Sequence, residues 1–187
     1  MQHLPARQRA VLILRDVLGF SGAEVAATLN TTPASVYSLL QRAHATIDDR
    51  LPKRSQQTTL RSLGDDRLQA MVERYVEAWG RHDVDAIVTM LTESATATMP
   101  PTPTWFRGRD AIATALRVGA LNGRMTWRLL PTTANGQVAL GAYLLDGSGA
   151  YLPNHLAVLT FSGDKIDQLD GFHDSTLLER FGLPARA

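Results

Sequence analysis

Residues 21–43 constrain the fold more than any other part of the chain. Ser21-Gly22-Ala23-Glu24 has the spacing of a capping box, in which the serine hydroxyl accepts from the backbone amide three residues on and the glutamate reaches back. A helix starts there and runs through Val25, Ala26, Ala27 and Leu29, and Asn30 tolerates the left-handed conformation that ends it. Thr32-Pro33 starts a second helix at once, because threonine is a good N-cap and proline is pre-shaped for the first helical position. Within that second helix Val36, Leu39, Leu40, Ala43 and Ile47 form one apolar stripe that should bury against the preceding helices. The opposite face presents Ser35, Tyr37, Ser38, Gln41, Arg42 and Ala45. Two helices joined by a tight turn, the second with a free polar face, make a helix-turn-helix. Small hydrogen-bonding groups on such a face enter a major groove, with Gln41 and Arg42 the strongest base readers. A helical bundle whose polar face is merely solvated fits the same spacing.

Residues 4–50 are helical in pattern throughout, with no strand alternation. Seven Lys/Arg stand against four Asp/Glu up to Arg54, and twelve against fourteen beyond it, so the front of the chain suits a nucleic-acid partner better than the back does. The apolar period fails after Leu51, and Pro52-Lys53-Arg54-Ser55-Gln56-Gln57-Thr58-Thr59 reads as a linker. The expected organisation is a helix-turn-helix domain at 1–51, a linker at 52–65 and a second domain at 66–187. In that second domain the pattern gives helices over 66–80, 84–91 and 109–121, and a short strand over 95–99. Strands follow over 125–133, 137–145, 152–161 and 165–172, turned at Asn135-Gly136, Asp146-Gly147 and Gly163-Asp164, and a terminal helix spans 175–181. Helices followed by a meander describe an α+β domain, in which one curved antiparallel sheet wraps a helix layer. No apolar run reaches a membrane span, and the N-terminus lacks the basic and apolar regions of a secretory signal. With no cysteine there is no disulfide, so a cytoplasmic location and no membrane partner are expected.

The stretch from Leu4-Pro5-Ala6-Arg7-Gln8-Arg9 through Val17-Leu18-Gly19-Phe20-Ser21-Gly22-Ala23-Glu24-Val25-Ala26 resembles region 4 of bacterial extracytoplasmic-function sigma factors. Thr32-Pro33-Ala34-Ser35-Val36-Tyr37-Ser38-Leu39-Leu40-Gln41-Arg42-Ala43 resembles their recognition helix. The resemblance implies contact between the −35 promoter element and the positions of Ser38 and Arg42, with RNA polymerase core as a partner. Those sigma factors carry a region 2 before region 4, and no such segment precedes Met1, so a fragment or truncated relative is expected. Region 2 is then a partner where the full-length protein has it.

Tyr75-Val76-Glu77-Ala78-Trp79 followed by Asp83-Val84-Asp85-Ala86-Ile87, and Trp105-Phe106-Arg107-Gly108-Arg109-Asp110, resemble the SnoaL-like domain, a cone-shaped α+β fold that cups a pocket. The combination is similar to a sigma-factor subgroup whose SnoaL-like extension regulates activity. Tyr75, Trp79, Trp105, Tyr143, His155, Asp170 and His173 are the candidate pocket residues, able to wall a small-molecule ligand site. An enzyme on this fold, a hydrolase, isomerase or cyclase, needs a positioned Asp or His, which Asp83, Asp170, His155 or His173 could supply. The spacing of these residues is not diagnostic and ordinary core or solvated roles fit each of them, so the leading expectation is a regulator without catalysis. The histidines at 3, 44, 82, 155 and 173 are scattered and set no metal-ligand spacing. His44, on the recognition helix, is a candidate phosphate contact. No metal or cofactor is expected.

Overall fold

The computed structural model describes residues 4–50 and 55–187, and the chain divides into two compact units, 1–53 and 54–187. Among the described residues no helix is long and apolar enough to cross a membrane.

The first unit is helical. Helix α1 (Ala6–Leu12) continues into a π turn over Ile13–Val17, followed by α2 (Gly22–Thr28) and α3 (Pro33–Arg50). The local signals act as their chemistry requires. Ser21 Oγ accepts from the Glu24 amide at 3.3 Å while the Ser21 amide donates to Glu24 Oε2 at 2.7 Å, and these bonds from Ser21 hold the Glu24 carboxyl below its usual range. Asn30 ends α2 at a φ of 50°. Thr32 Oγ1 accepts from the Ser35 amide at 3.2 Å and caps α3. Val11, Val25, Ala26 and Val36 form one small core, and Leu4, Leu12 and Ala43 a second beside it. Val36 and Ala43 are stripe residues that the helical period selects, and Leu39, Leu40 and Ile47 of the same stripe pack beside them.

The second unit begins with α4 (Gln56–Leu63), α5 (Asp65–Gly80) and α6 (Val84–Thr89), then β1 (Leu91–Thr98), β2 (Trp105–Arg107) and α7 (Arg109–Val118). Strands β3 (Trp127–Ala134), β4 (Gln137–Leu145), β5 (Tyr151–Ser162) and β6 (Lys165–Phe172) follow, and α8 (Thr176–Arg180) comes last. The sheet order is β2-β1-β6-β5-β4-β3. Every pairing is antiparallel except β1 with β6, which is parallel. The long connection between those two strands makes the parallel pairing feasible, and the sheet is thus a meander with an earlier hairpin added to its end.

Both faces of the sheet are covered. On the inner face α5, α6 and α7 pack Val72, Tyr75, Trp79, Ile87 and Ile112 against Leu91, Trp127, Leu140, Leu159 and Ile166. On the outer face α8 and the C-terminal tail set Leu178 and Leu183 against Ala139, Tyr143, Leu156 and Val158. Gly141 permits this approach, because a Cβ there would run into Leu183.

The linker expectation over 52–65 needs correction. Its part over 52–54 lies outside the described residues, but 56–63 is a helix that belongs to the second unit. Gln56 is the reason: its Nε2 donates to the Phe161 carbonyl at 2.6 Å and its Oε1 accepts from the Phe161 amide at 2.8 Å. The ladder of β4 starts beside Leu159, so one side chain amide takes the place of a strand partner for Phe161. Leu60 and Leu63 then join the inner core. The short edge strand β2 is also absent from the sequence reading.

Candidate nucleic-acid interface and inner cup

On α3 the side chains separate cleanly. Val36 and Ala43 are fully buried, whereas Tyr37, Ser38, Gln41 and Arg42 are exposed and Ser35 is half-buried. Arg42 Nε donates to the Ser38 carbonyl at 3.2 Å, and among the described residues neither terminal guanidinium nitrogen has a hydrogen-bond partner. Ser38, Gln41 and Arg42 thus form a polar ridge of the size a major groove admits. Two further residues of this helix have partners within the unit. Tyr37 lies over the backbone of α2, its hydroxyl 3.0 Å from where a Cβ on Gly22 would stand. His44 is held by Asp16, Nε2 to Oδ2 at 2.6 Å, so a carboxylate engages one of its ring nitrogens.

In the second unit a file of rings runs from α5 across the inner face of the sheet. Tyr75 and Trp79 have centroids 5.9 Å apart, Trp79 and Trp127 meet edge to face at 6.3 Å, Trp127 and His155 at 5.8 Å, and His155 and His173 at 4.9 Å. A bulge sets this geometry: Ala142 faces His155 while Tyr143 faces Pro153, so Asn154 is the extra residue on β5. Bulges re-aim side chains, and here Asn154 Oδ1 sits 2.9 Å from His155 Nδ1. Burial, reinforced by the neighbouring His173, lowers the His155 pKa to about 4, so its ring is neutral near pH 7. The Trp127 indole donates to the Ala120 carbonyl at 2.7 Å. The Trp79 indole nitrogen, by contrast, is buried without an acceptor among the described residues.

Three of the expected pocket residues lie elsewhere. Tyr143 is on the outer face, fully buried under the C-terminal tail with its hydroxyl donating to the Pro184 carbonyl at 2.7 Å. Trp105 is 62% exposed on β2, in a row with Thr98, Asp170 and Val158 across the outer face. Asp170 accepts there from Thr98 Oγ1 and from Gln168 Nε2. Strand alternation accounts for all three, since neighbouring residues on a strand point to opposite faces. Asp170 and the two histidines therefore do not form an acid–base pair. Asp83 caps α6 by accepting from the Ala86 amide at 2.9 Å. Trp127, which joins the two ends of the file, was not among the expected residues; its place on an inner-facing strand position was the available signal.

A family model described as sigma-70, region 4 matches residues 1–47, and one described as the SnoaL-like domain matches residues 72–168, just over half of the chain. The chain is 39% identical over 195 aligned residues to the ECF RNA polymerase sigma factor SigG of Mycobacterium tuberculosis, in strains CDC 1551 / Oshkosh and H37Rv alike. That alignment takes in 98% of this chain and 49% of the relative, so the chain spans about half the length of the curated relatives it matches. Among solved structures, an NTF-2 like protein of unknown function from Burkholderia xenovorans LB400 is similar at 11% identity and a TM-score of 0.49, over 60% of this chain and 86% of that one. The chain belongs to the SnoaL-like domain family, and its match to sigma-70 region 4 precedes that domain.

Proposed function

We propose that this chain acts in transcription initiation as the promoter-reading and regulatory part of a sigma factor of the extracytoplasmic-function kind. Helix α3 reads the −35 element, RNA polymerase core is the partner, and the SnoaL-like domain regulates the activity. The observation that carries the reading is the division of α3. Ser38, Gln41 and Arg42 stand exposed on a helix whose other side is fixed by Val36 and Ala43 at zero exposure, within a motif capped at both helix starts. The likeness to a named RNA polymerase sigma factor supports the same partner.

Duplex binding tests it. Arg42→Ala is expected to weaken binding to a −35-like duplex by about 1–3 kcal/mol, the worth of a bidentate guanine contact. Affinity should also fall as salt rises, because phosphate contacts release counterions. An Arg42→Ala chain that binds as tightly as the parent contradicts the assignment of Arg42.

A second reading concerns the cup, and the unpaired Trp79 N–H favours it. A buried donor without an acceptor costs about 1–3 kcal/mol, and a ligand carrying a carbonyl or hydroxyl would relieve that cost amid the apolar walls of Tyr75 and Trp127. The SnoaL-like domain then regulates in response to an uncharged small molecule. Saturable quenching of tryptophan emission by an uncharged apolar ketone, weakened in Trp79→Phe, supports this reading. Unsaturable quenching that is the same in both chains contradicts it.

A further inference from the structure

The π turn over Ile13–Val17 is a departure from the α-helix that the promoter reading leaves unused. The Leu18 amide donates to the Ile13 carbonyl five residues back, the bond of a π turn, and the Phe20 amide closes the end of the helix on the Leu14 carbonyl behind Gly19, both at 2.9 Å. Such turns insert an extra residue and swing the following side chains around the axis. The result here is asymmetric. Val17 and Leu18 are thrown outward, 66% and 59% exposed, while the turn's two charged residues meet α3.

Asp16 holds His44 at 2.6 Å. Arg15 places its guanidinium carbon 6.0 Å from the centre of the Tyr37 ring and donates from Nη1 to the Phe20 carbonyl at 2.6 Å, which ties it to the segment entering α2. Tyr37 in turn rests on Gly22, where even a methyl group would stand 3.0 Å from its hydroxyl. At about 100° per residue, Tyr37 and His44 lie within about 20° of each other around α3. Gln41 lies about 40° to one side of Tyr37, with Ser38 at about 100° and Arg42 at about 140°. The turn therefore grips one flank of the exposed face and leaves the rest of that face free.

We infer that Arg15 and Asp16 are positioning residues: acting through Tyr37 and His44, they set the roll of α3 about its axis and so decide which base edges Ser38, Gln41 and Arg42 meet. Tyr37 and His44 serve as handles of the helix and not as readers of bases. This inference rests on the promoter reading above. It goes beyond it by assigning sequence discrimination to residues that do not themselves face the groove.

The test uses the full chain, a −35-like duplex and a scrambled duplex at one salt concentration, with helicity checked by circular dichroism. Asp16→Ala and His44→Ala are expected to lower the ratio of the two affinities by about threefold to tenfold, a common size for coupling between contacting residues. His44→Gln, which keeps a donor toward Asp16, should largely restore the ratio. Loss of the Asp16 charge alone would strengthen binding to both duplexes alike and leave the ratio fixed, so a fallen ratio is not a charge effect. Should Asp16→Ala lose helicity, Asp16→Asn keeps the size of the side chain and carries the same expectation in reduced degree. A parent that discriminates while Asp16→Ala and His44→Ala keep its full ratio overturns the positioning role alone. A parent without any preference overturns both this role and the promoter reading.

Discussion

The imidazole of His155 stands 4.9 Å from that of His173, centre to centre, with the rings tilted by 30°. His155 is buried and its pKa falls to about 4, whereas an unfolded chain leaves a histidine near 6.5. The unfolded state thus binds a proton in the window where the folded state refuses it. The associated stability is complete above about pH 6.5 and is lost as pH falls toward 4, by about 3 kcal/mol if the full difference is realised. Denaturant titrations of the parent should show this loss between those limits. His155→Phe should flatten the slope there, and an unchanged slope would contradict the assigned cause.

Gln56→Ala removes both bonds to the Phe161 backbone. It leaves an amide and a carbonyl of β5 without partners, at an expected cost of about 1–3 kcal/mol. Hydrogen exchange at the Phe161 amide should accelerate in the variant. Protection equal to that of the parent would mean that the clamp does not hold in solution.

Tyr143→Phe deletes the bond to the Pro184 carbonyl while keeping the ring among Leu156, Leu178 and Leu183. A loss of about 1 kcal/mol is expected, together with easier proteolysis after residue 180. Gly141→Val should act more strongly at the same place, since the new side chain meets Leu183 and Leu178 directly. Limited proteolysis followed by mass measurement distinguishes both variants from the parent. A tail cleaved no faster in either variant would contradict its docking on the outer face.

Ser21→Ala breaks the capping box at α2 and should cost the first unit about 0.5–2 kcal/mol. Thermal melting followed by far-ultraviolet circular dichroism measures it. A variant that melts with the parent would show that the box adds nothing to the tertiary packing.

Those caps were legible in the sequence because their partners are three residues away: Ser21 with Glu24, Thr32 with Ser35. The stripe of Val36, Leu39, Leu40 and Ala43 was legible for the same reason. The helix of Gln56–Leu63 was not, because only Leu60 and Leu63 are apolar at core spacing and its anchor, Phe161, lies 105 residues away. The file of rings was half legible. Tyr75 and Trp79 share a face of α5 by helical period, but β4 is buried along nearly its whole length. Hydrophobic alternation therefore could not tell the face of Ala142 from that of Tyr143. The bulge at Asn154, which brings His155 to the ring file, leaves no pattern in the sequence.

Whether α3 reads promoter sequence is measured by the ratio of affinities for a −35-like duplex and a scrambled duplex, taken with the full chain at physiological salt. A preference of at least about fivefold is expected, the lower reach of one well-made base contact, with its collapse toward unity in Arg42→Ala. Equal affinity of the parent chain for both duplexes would contradict it.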